Sequence, residues 1–392
     1  MAQHPSHARR IAPVLTPVIP WLNGLARRHA GTLSLAQGMV DWPPPPAVRQ
    51  LQSLDPDLDR YGAMAGDDAL LAAIHHDLVD RRGLDLVDAE LLVTAGSNMA
   101  FYAVIQAICD PGDEVILPIP YYFNHVMAVQ LAGGVPLTPS LGLVPDPEAL
   151  AACIGPRTRA IVTVSPGNPS GVVLPPPVLT SINRLCADRG LFHLSDEAYA
   201  DFVHGLTPHV SPGRVPGSGR HTVSLFSLSK AYGMAGWRVG YASVPRQLMA
   251  ALAKVQDTVL ICPPRITQRA ALAALAAGPT WCAERAVCLA PRRRLLLEAI
   301  AREQAAGAPW RLLAEPDGAF YALLQMASAE DDGPLMERLI RDHGVAVVAG
   351  GSFGLPATGS QLTLRLSYGM LSEPLLQQAL ERLFRGLRQT DR

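Results

Sequence analysis

Ser227-Leu-Ser-Lys-Ala-Tyr-Gly-Met-Ala-Gly-Trp-Arg238 sets one lysine, Lys230, among serine hydroxyls, with an arginine eight residues further on. A lysine amine can form a Schiff base with a carbonyl, while Ser227, Ser229 and Arg238 offer hydrogen-bond donors and positive charge to a phosphate. Together they suit an aldehyde cofactor that carries a phosphate. A lysine by itself carries almost no information, because most lysines are solvated surface charges. The case rests on what the remaining chain supplies.

Outward from this stretch, proline and glycine divide the chain into short apolar runs that alternate with helical patterns, the signature of a βαβ architecture. Thr222-Val-Ser-Leu-Phe226 directly precedes the lysine segment and Val239-Gly-Tyr-Ala-Ser243 follows it; both read as strands. So do Leu91-Leu-Val-Thr94, Glu114-Val-Ile-Leu117, Ala160-Ile-Val-Thr-Val164 and Leu191-Phe-His-Leu194, with a helix over 98–108 after the first of them. The apolar runs suit a sheet covered on both faces. Residues 1–45 are proline-rich and irregular, and Arg292-Arg-Arg-Leu-Leu-Leu-Glu298 reads as a helix that leaves the main sheet. The expectation is an N-terminal arm and part of a small domain over 1–45, a large α/β domain over 46–285, and the rest of the small domain over 286–392. No internal repeat or low-complexity linker interrupts this plan.

The chain has 392 residues, 49% hydrophobic and 17% charged, enough for a large core. Lys plus Arg (33) nearly balances Asp plus Glu (34), so the basic excess that draws proteins to nucleic acid or anionic lipid is missing. Small-molecule partners are expected. Arg9-Arg10 and the apolar residues after it resemble a secretion signal, but Pro13, Pro17 and Pro20 interrupt that stretch and no cleavage pattern follows. No run is long and apolar enough to span a bilayer, and the cytoplasm is the expected compartment. The six cysteines are scattered without Cys-x-x-Cys or matching histidine spacing, which predicts reduced packing residues and no metal site. His75-His76 falls in a helical pattern that favours the surface.

Pyridoxal phosphate is the phosphate-bearing aldehyde that this chemistry suggests. Its site must hold a phosphate, keep the pyridine nitrogen protonated, hydrogen-bond the ring hydroxyl and cover a ring face. Thr94-Ala-Gly-Ser-Asn98 lies between a strand and a helix, where backbone N–H groups and the helix dipole face an anion; the alternative is a simple N-cap by Ser97 or Asn98. Asp196, at the end of an apolar strand, would pair with a pyridinium, or make an ordinary turn or salt bridge. Asn168, in Ser165-Pro-Gly-Asn-Pro-Ser-Gly171, and Tyr199 could both reach the ring oxygen, although the Asn-Pro and Ser-Gly pairs are also common turn chemistry. Tyr122 either stacks on the ring or fills a core.

The types, order and spacing of these motifs, from about Leu33 to Leu387, resemble the fold type I pyridoxal phosphate enzymes of the class I/II aminotransferase family. That resemblance implies a mostly parallel seven-stranded sheet sandwiched by helices, with a smaller α/β domain formed by both chain ends. It implies that Lys230 forms the internal aldimine with pyridoxal 5'-phosphate and then moves a proton. Asp196 pairs with the pyridine nitrogen, Asn168 and Tyr199 bind the ring hydroxyl, Tyr122 stacks on the ring, and Ser97, Asn98, Ser227, Ser229 and Arg238 surround the phosphate. By the same resemblance Arg365, in Leu362-Thr-Leu-Arg-Leu-Ser-Tyr368, grips the substrate α-carboxylate, and the Gly38 backbone N–H meets it. Tyr61 crosses to the phosphate of a neighbouring subunit, implying a homodimer with shared sites. The Asn168–Pro169 bond is expected to be cis. Two segments depart from the commonest family pattern, Ala349-Gly-Gly-Ser-Phe-Gly354 and Gly38-Met-Val-Asp-Trp42.

The implied activity is transfer of an amino group from an L-amino acid to a 2-oxo acid through pyridoxamine phosphate. A β- or γ-eliminating lyase or a hydroxyarginine-type cyclase would use the same scaffold. A non-catalytic sensor would need a DNA-binding head, and the region before Leu33 is too short and proline-rich for one.

Overall fold

Short apolar strands alternating with helices can bury both of their faces when they form one sheet covered on each side by helices. The computed structural model describes residues 7–50, 56–327, 330–356 and 361–389. After a short N-terminal strand β1 (Leu33–Ser34) come β2 (Ala89–Thr94), β3 (Glu114–Ile116), β4 (Val135–Leu137), β5 (Thr158–Val164), β6 (Phe192–Asp196), β7 (Thr222–Ser227) and β8 (Gly240–Pro245). Strands β2 to β8 make a seven-stranded sheet in the order β2-β8-β7-β6-β5-β3-β4. Only β8 runs against its neighbours. Six of the seven strands lie where the apolar runs predict them. The seventh, β4, is a three-residue edge strand containing Pro136, a residue that an edge tolerates and that weakens the strand signal.

Alternation along β5 builds two layers, because successive side chains leave a strand on opposite faces. Ala160 and Val162 join a core with Phe101, Val104 and Ile105 of the helix Ser97–Ile108, while Ile161 meets Ile182 and Cys186 of the helix Pro176–Arg189. Helices therefore cover the sheet on both sides. This is the mostly parallel seven-stranded sheet sandwiched by helices that the resemblance implies.

Beyond the sheet, the helix Gly278–Ala305 runs 28 residues and passes position 286 without a break. It leads to β9 (Arg311–Leu312), β10 (Tyr321–Met326), β11 (Val345–Ala346), β12 (Val348–Ala349) and β13 (Leu362–Ser367). Strands β12-β13-β10-β9 form an antiparallel sheet, and β1 pairs in parallel with β11 through Leu33 opposite Val345. Residues 33–35 are thus hydrogen-bonded to residues 344–346. The six cysteines are free thiols, and His75 and His76 are exposed. No helix among the described residues is long and apolar enough to cross a membrane.

Candidate active site

In a parallel sheet every strand delivers its C-terminal end to the same edge, and loops leaving that edge converge. Here Ala95–Ser97 follows β2, Ser165–Asn168 follows β5, Asp196 ends β6 and Lys230 follows β7, while Arg238 precedes the reversed β8. Around these strand ends Ser97, Asn98, Tyr122, Asn168, Asp196, Tyr199, Ser227, Ser229, Lys230 and Arg238 line one recess of about 130 Å3. A larger open cavity of about 750 Å3 adjoins it, lined in part by Gly38, Tyr122, Lys230 and Arg365. The folded chain therefore brings together all but one of the residues singled out in the sequence. The exception is Tyr61, 78% exposed and lining a separate surface depression with Asp67 and Arg265.

Gly96 shapes the loop over the helix Ser97–Ile108. Its φ of 91° lies in the left-handed region, and a Cβ there would sit 2.7 Å from Nη2 of Arg238. A side chain here would strain the backbone and displace the guanidinium from the loop. Arg238 itself takes a φ of 53° and donates from Nη1 to the Ala235 carbonyl at 2.8 Å. The result is an arginine, Ser227, Ser229 and the N-terminus of a twelve-residue helix around one recess, a set of donors suited to an anion.

Asp196 is buried in the wall of the same recess. Its Oδ1 accepts from the Ala198 N–H at 3.0 Å and its Oδ2 lies 3.1 Å from Nε2 of His125. His125 is itself buried and stacks on Phe101 with ring centroids 4.0 Å apart. No sequence pattern points to this histidine; it sits on an apolar helix, Phe123–Leu131, and meets Asp196 only through the fold. Tyr199 shares a 2.7 Å hydroxyl–hydroxyl hydrogen bond with Tyr321, a second residue the sequence reading passed over. Burial, then Tyr321, raises the Tyr199 phenol well above its ordinary value, so it remains protonated. Burial likewise raises Tyr122.

Lys230 donates from Nζ to the Gly38 carbonyl at 2.5 Å. Burial, followed by the charges of Arg365 and Arg238, pushes its amine down to about 8, with Asp196 acting in the opposite direction. Arg365 is buried between the rings of Tyr321 and Phe353, 4.6 and 5.0 Å from their centroids. Its Nη1 donates to Asn168 Oδ1 at 2.8 Å and its Nη2 to the Ala36 carbonyl at 2.5 Å, while Nε has no hydrogen-bond partner among the described residues. A Cβ on Gly38 would collide with the Tyr321 hydroxyl, so the ring packs directly against that backbone. The Asn168–Pro169 bond is cis. Both segments with unusual sequence border the site: Phe353 backs Arg365, Met39 lines the larger cavity, and Asp41 is ion-paired to Arg292.

The sequence profile described as aminotransferase class I and II matches residues 30–383. The chain belongs to this family. An aspartate/prephenate aminotransferase of Thermus thermophilus is 36% identical over 93% of this chain and 93% of that protein. An aromatic aminotransferase of Arabidopsis thaliana is 34% identical over 97% and 96%. Among solved structures, a double mutant of Thermus thermophilus aspartate aminotransferase superposes with a TM-score of 0.85 at 34% identity, covering 98% of this chain and all of that one. The chain is a pyridoxal phosphate-dependent aminotransferase. Its donor set fits the cofactor: a recess whose donors suit an anion, a buried carboxylate, hydroxyl and amide donors, and a lysine whose amine is pushed down to about 8.

Proposed function

We propose that this aminotransferase moves an amino group between an L-amino acid and a 2-oxo acid, with Lys230 as covalent anchor and proton carrier. The observation that carries the reading is the convergence of Lys230, Asp196, Asn168, Tyr199 and Arg238 on one recess that opens towards Arg365. Arg238, Ser227, Ser229, Ser97 and Asn98 would hold the phosphate of pyridoxal phosphate, and Tyr122 would cover the ring. Asp196, backed by His125, would hold the proton on the pyridine nitrogen; Asn168 and Tyr199 would donate to the ring oxygen. When bound, the cofactor supplies a carbonyl that condenses with amines and a ring that draws electrons from the substrate Cα–H bond.

The chain's own residues do the rest. Arg365 fixes the α-carboxylate in its two-pronged guanidinium, assisted by the Gly38 backbone N–H, and so turns the Cα proton towards Lys230. Nζ takes that proton and returns it, as a lysine amine beside the reacting carbon can. Arg365, Lys230 and Arg238 outnumber Asp196 in charge, so the site attracts a phosphate and a carboxylate before either is bound.

We place the carboxylate-gripping residues Gly38 and Arg365 on the small unit, residues 1–45 with 286–392, and the cofactor on residues 46–285. We also infer a homodimer in which Tyr61 reaches the partner's phosphate. Its exposed position beside Asp67 and Arg265 supports that reading. The cytoplasm is the proposed compartment, in keeping with six free thiols.

Reduction of the holoenzyme with borohydride should fix a phosphopyridoxyl group on the peptide containing Lys230, and Lys230→Ala should lose it. A reacting amino-acid donor should be released as its 2-oxo acid. Attachment at another lysine, or release of ammonia in step with turnover, would overturn the assignment.

A further inference from the structure

The loop that carries Lys230 is held by two tryptophans. The indole N–H of Trp42 donates to the Ala231 carbonyl at 3.3 Å, and that of Trp281 donates to the same oxygen at 3.2 Å. A carbonyl oxygen has two lone pairs and can accept both. Ala231 directly follows Lys230 and is buried, so the doubly held oxygen belongs to the residue next to the lysine. Trp42 closes one of the two segments that depart from the commonest family pattern, and Trp281 lies near the start of the helix Gly278–Ala305.

Both indoles are themselves held in place. Trp42 is buried, with its ring centroid 6.1 Å from that of Phe202, and the Arg285 guanidinium lies 4.2 Å over the Trp281 ring. The residue after Trp281, Cys282, is hydrogen-bonded to the Tyr232 hydroxyl; successive residues of the helix therefore grip successive residues of the loop. Arg292 of the same helix donates to Asp41 at 3.0 Å and to the Gly369 carbonyl at 2.8 Å. The segment Gly38–Trp42 is thus tied to the helix at Asp41 and to the loop at Trp42, while its Gly38 carbonyl receives the Lys230 amine. Two residues beyond Ala231, Gly233 takes a φ of 62°, and a Cβ there would lie 2.6 Å from the Trp42 carbonyl oxygen. The two backbones are in direct contact.

A lysine that anchors a cofactor and then carries a proton must move its amine without losing its place, because small misplacements at a reacting centre are costly. We propose that Trp42 and Trp281 are positioning residues for Lys230: their N–H groups clamp the Ala231 carbonyl, so that the amine moves by side-chain rotation about a fixed backbone. Neither tryptophan is among the described lining residues of the recess or of the larger cavity, so both act through the loop. The inference rests on the reading of Lys230 as covalent anchor and proton carrier.

Two forms of the cofactor separate the lysine from the rest of the site. Pyridoxal phosphate condenses with the lysine amine and loses water, whereas pyridoxamine phosphate offers the same ring and phosphate but no carbonyl. Trp42→Phe and Trp281→Phe each keep an aromatic ring and remove one N–H. In titrations of the full-length apo-protein, each should weaken pyridoxal phosphate by roughly twofold to tenfold, the worth of one net hydrogen bond, and leave pyridoxamine phosphate within about twofold. The double variant should lose more than the product of the single losses, because in each single variant the remaining indole still holds the carbonyl. In the holoenzyme kcat should fall while the KM for the amino-acid donor stays. A ratio of the two affinities in the double variant equal to that of the unaltered protein, whether both fall together or neither falls, overturns the clamp. If the double variant does not fold, the same ratio in the two single variants decides. Lys230→Ala should abolish the advantage of the aldehyde form; if that advantage persists, the anchor reading itself fails, a result distinct from failure of the clamp alone.

Discussion

A lysine amine attacks an aldehyde only after losing its proton, so with Lys230 as the proposed anchor the groups around it would set the pH at which the apo-protein captures its cofactor. Burial, Arg365 and Arg238 push that amine down to about 8, and Asp196 pushes it up. Capture of pyridoxal phosphate, followed by rapid mixing and borohydride trapping, should therefore accelerate as pH rises through about 8. Arg365→Gln removes a repelling cation and should move the midpoint up; Asp196→Asn removes an attracting anion and should move it down. A midpoint indifferent to both changes would disprove this electrostatic account. Stability has a defined sign as well: the folded amine releases its proton at lower pH than the unfolded one, so the penalty for burying it is fully present below about 8. It fades as pH rises from there towards the ordinary lysine value of 10.5. At this scale sequence was informative where chemistry restricts residue type, as for Lys230 and Asp196. It was silent about His125 and Tyr321, because a histidine on an apolar helix and a tyrosine in an apolar strand have no local pattern that names their distant partners.

The strand–loop–helix unit from β2 to Ile108 joins local sequence to the site most directly. Its strand is an apolar run, its helix buries Ala100, Phe101, Val104 and Ile105, and its loop turns on Gly96. Gly96→Ala would force a side chain into the left-handed region and against the Arg238 guanidinium. The cost should be about 1 kcal/mol or more in urea unfolding, with cofactor affinity weakened at least about fivefold because Arg238 must shift. Wild-type affinity in Gly96→Ala would show that the close approach of Arg238 to this loop is unimportant. Elements of this kind were legible because one strand and one helix each carry enough residues to show a period. By contrast β4 has three residues, one of them a proline, and β1, β11 and β12 have two each. Their existence depends on neighbours supplied by the fold, so no window of sequence could display them.

Across the whole molecule, the site draws on both ends of the chain. The Ser367 N–H donates to the Leu35 carbonyl at 2.8 Å, Arg365 reaches the Ala36 carbonyl, and Lys230 reaches that of Gly38, so the N-terminal segment lies between the arginine and the lysine. Tyr61 belongs to the same scale, since it is absent from the described lining of its own cavity and acquires a role only in the proposed dimer. If it serves the partner's phosphate, each site combines Lys230 of one subunit with Tyr61 of the other. Lys230→Ala and Tyr61→Ala homodimers should then both be impaired at limiting cofactor, the first for lack of its amine and the second for weak phosphate binding. Exchange of subunits between them makes about half of the dimers mixed, and each mixed dimer pairs one intact Lys230 with one intact Tyr61. Activity should recover to about a quarter of the wild-type value per site. Mixed dimers purified through two different tags, yet no more active than the Tyr61→Ala parent, would show that Tyr61 does not act across the interface.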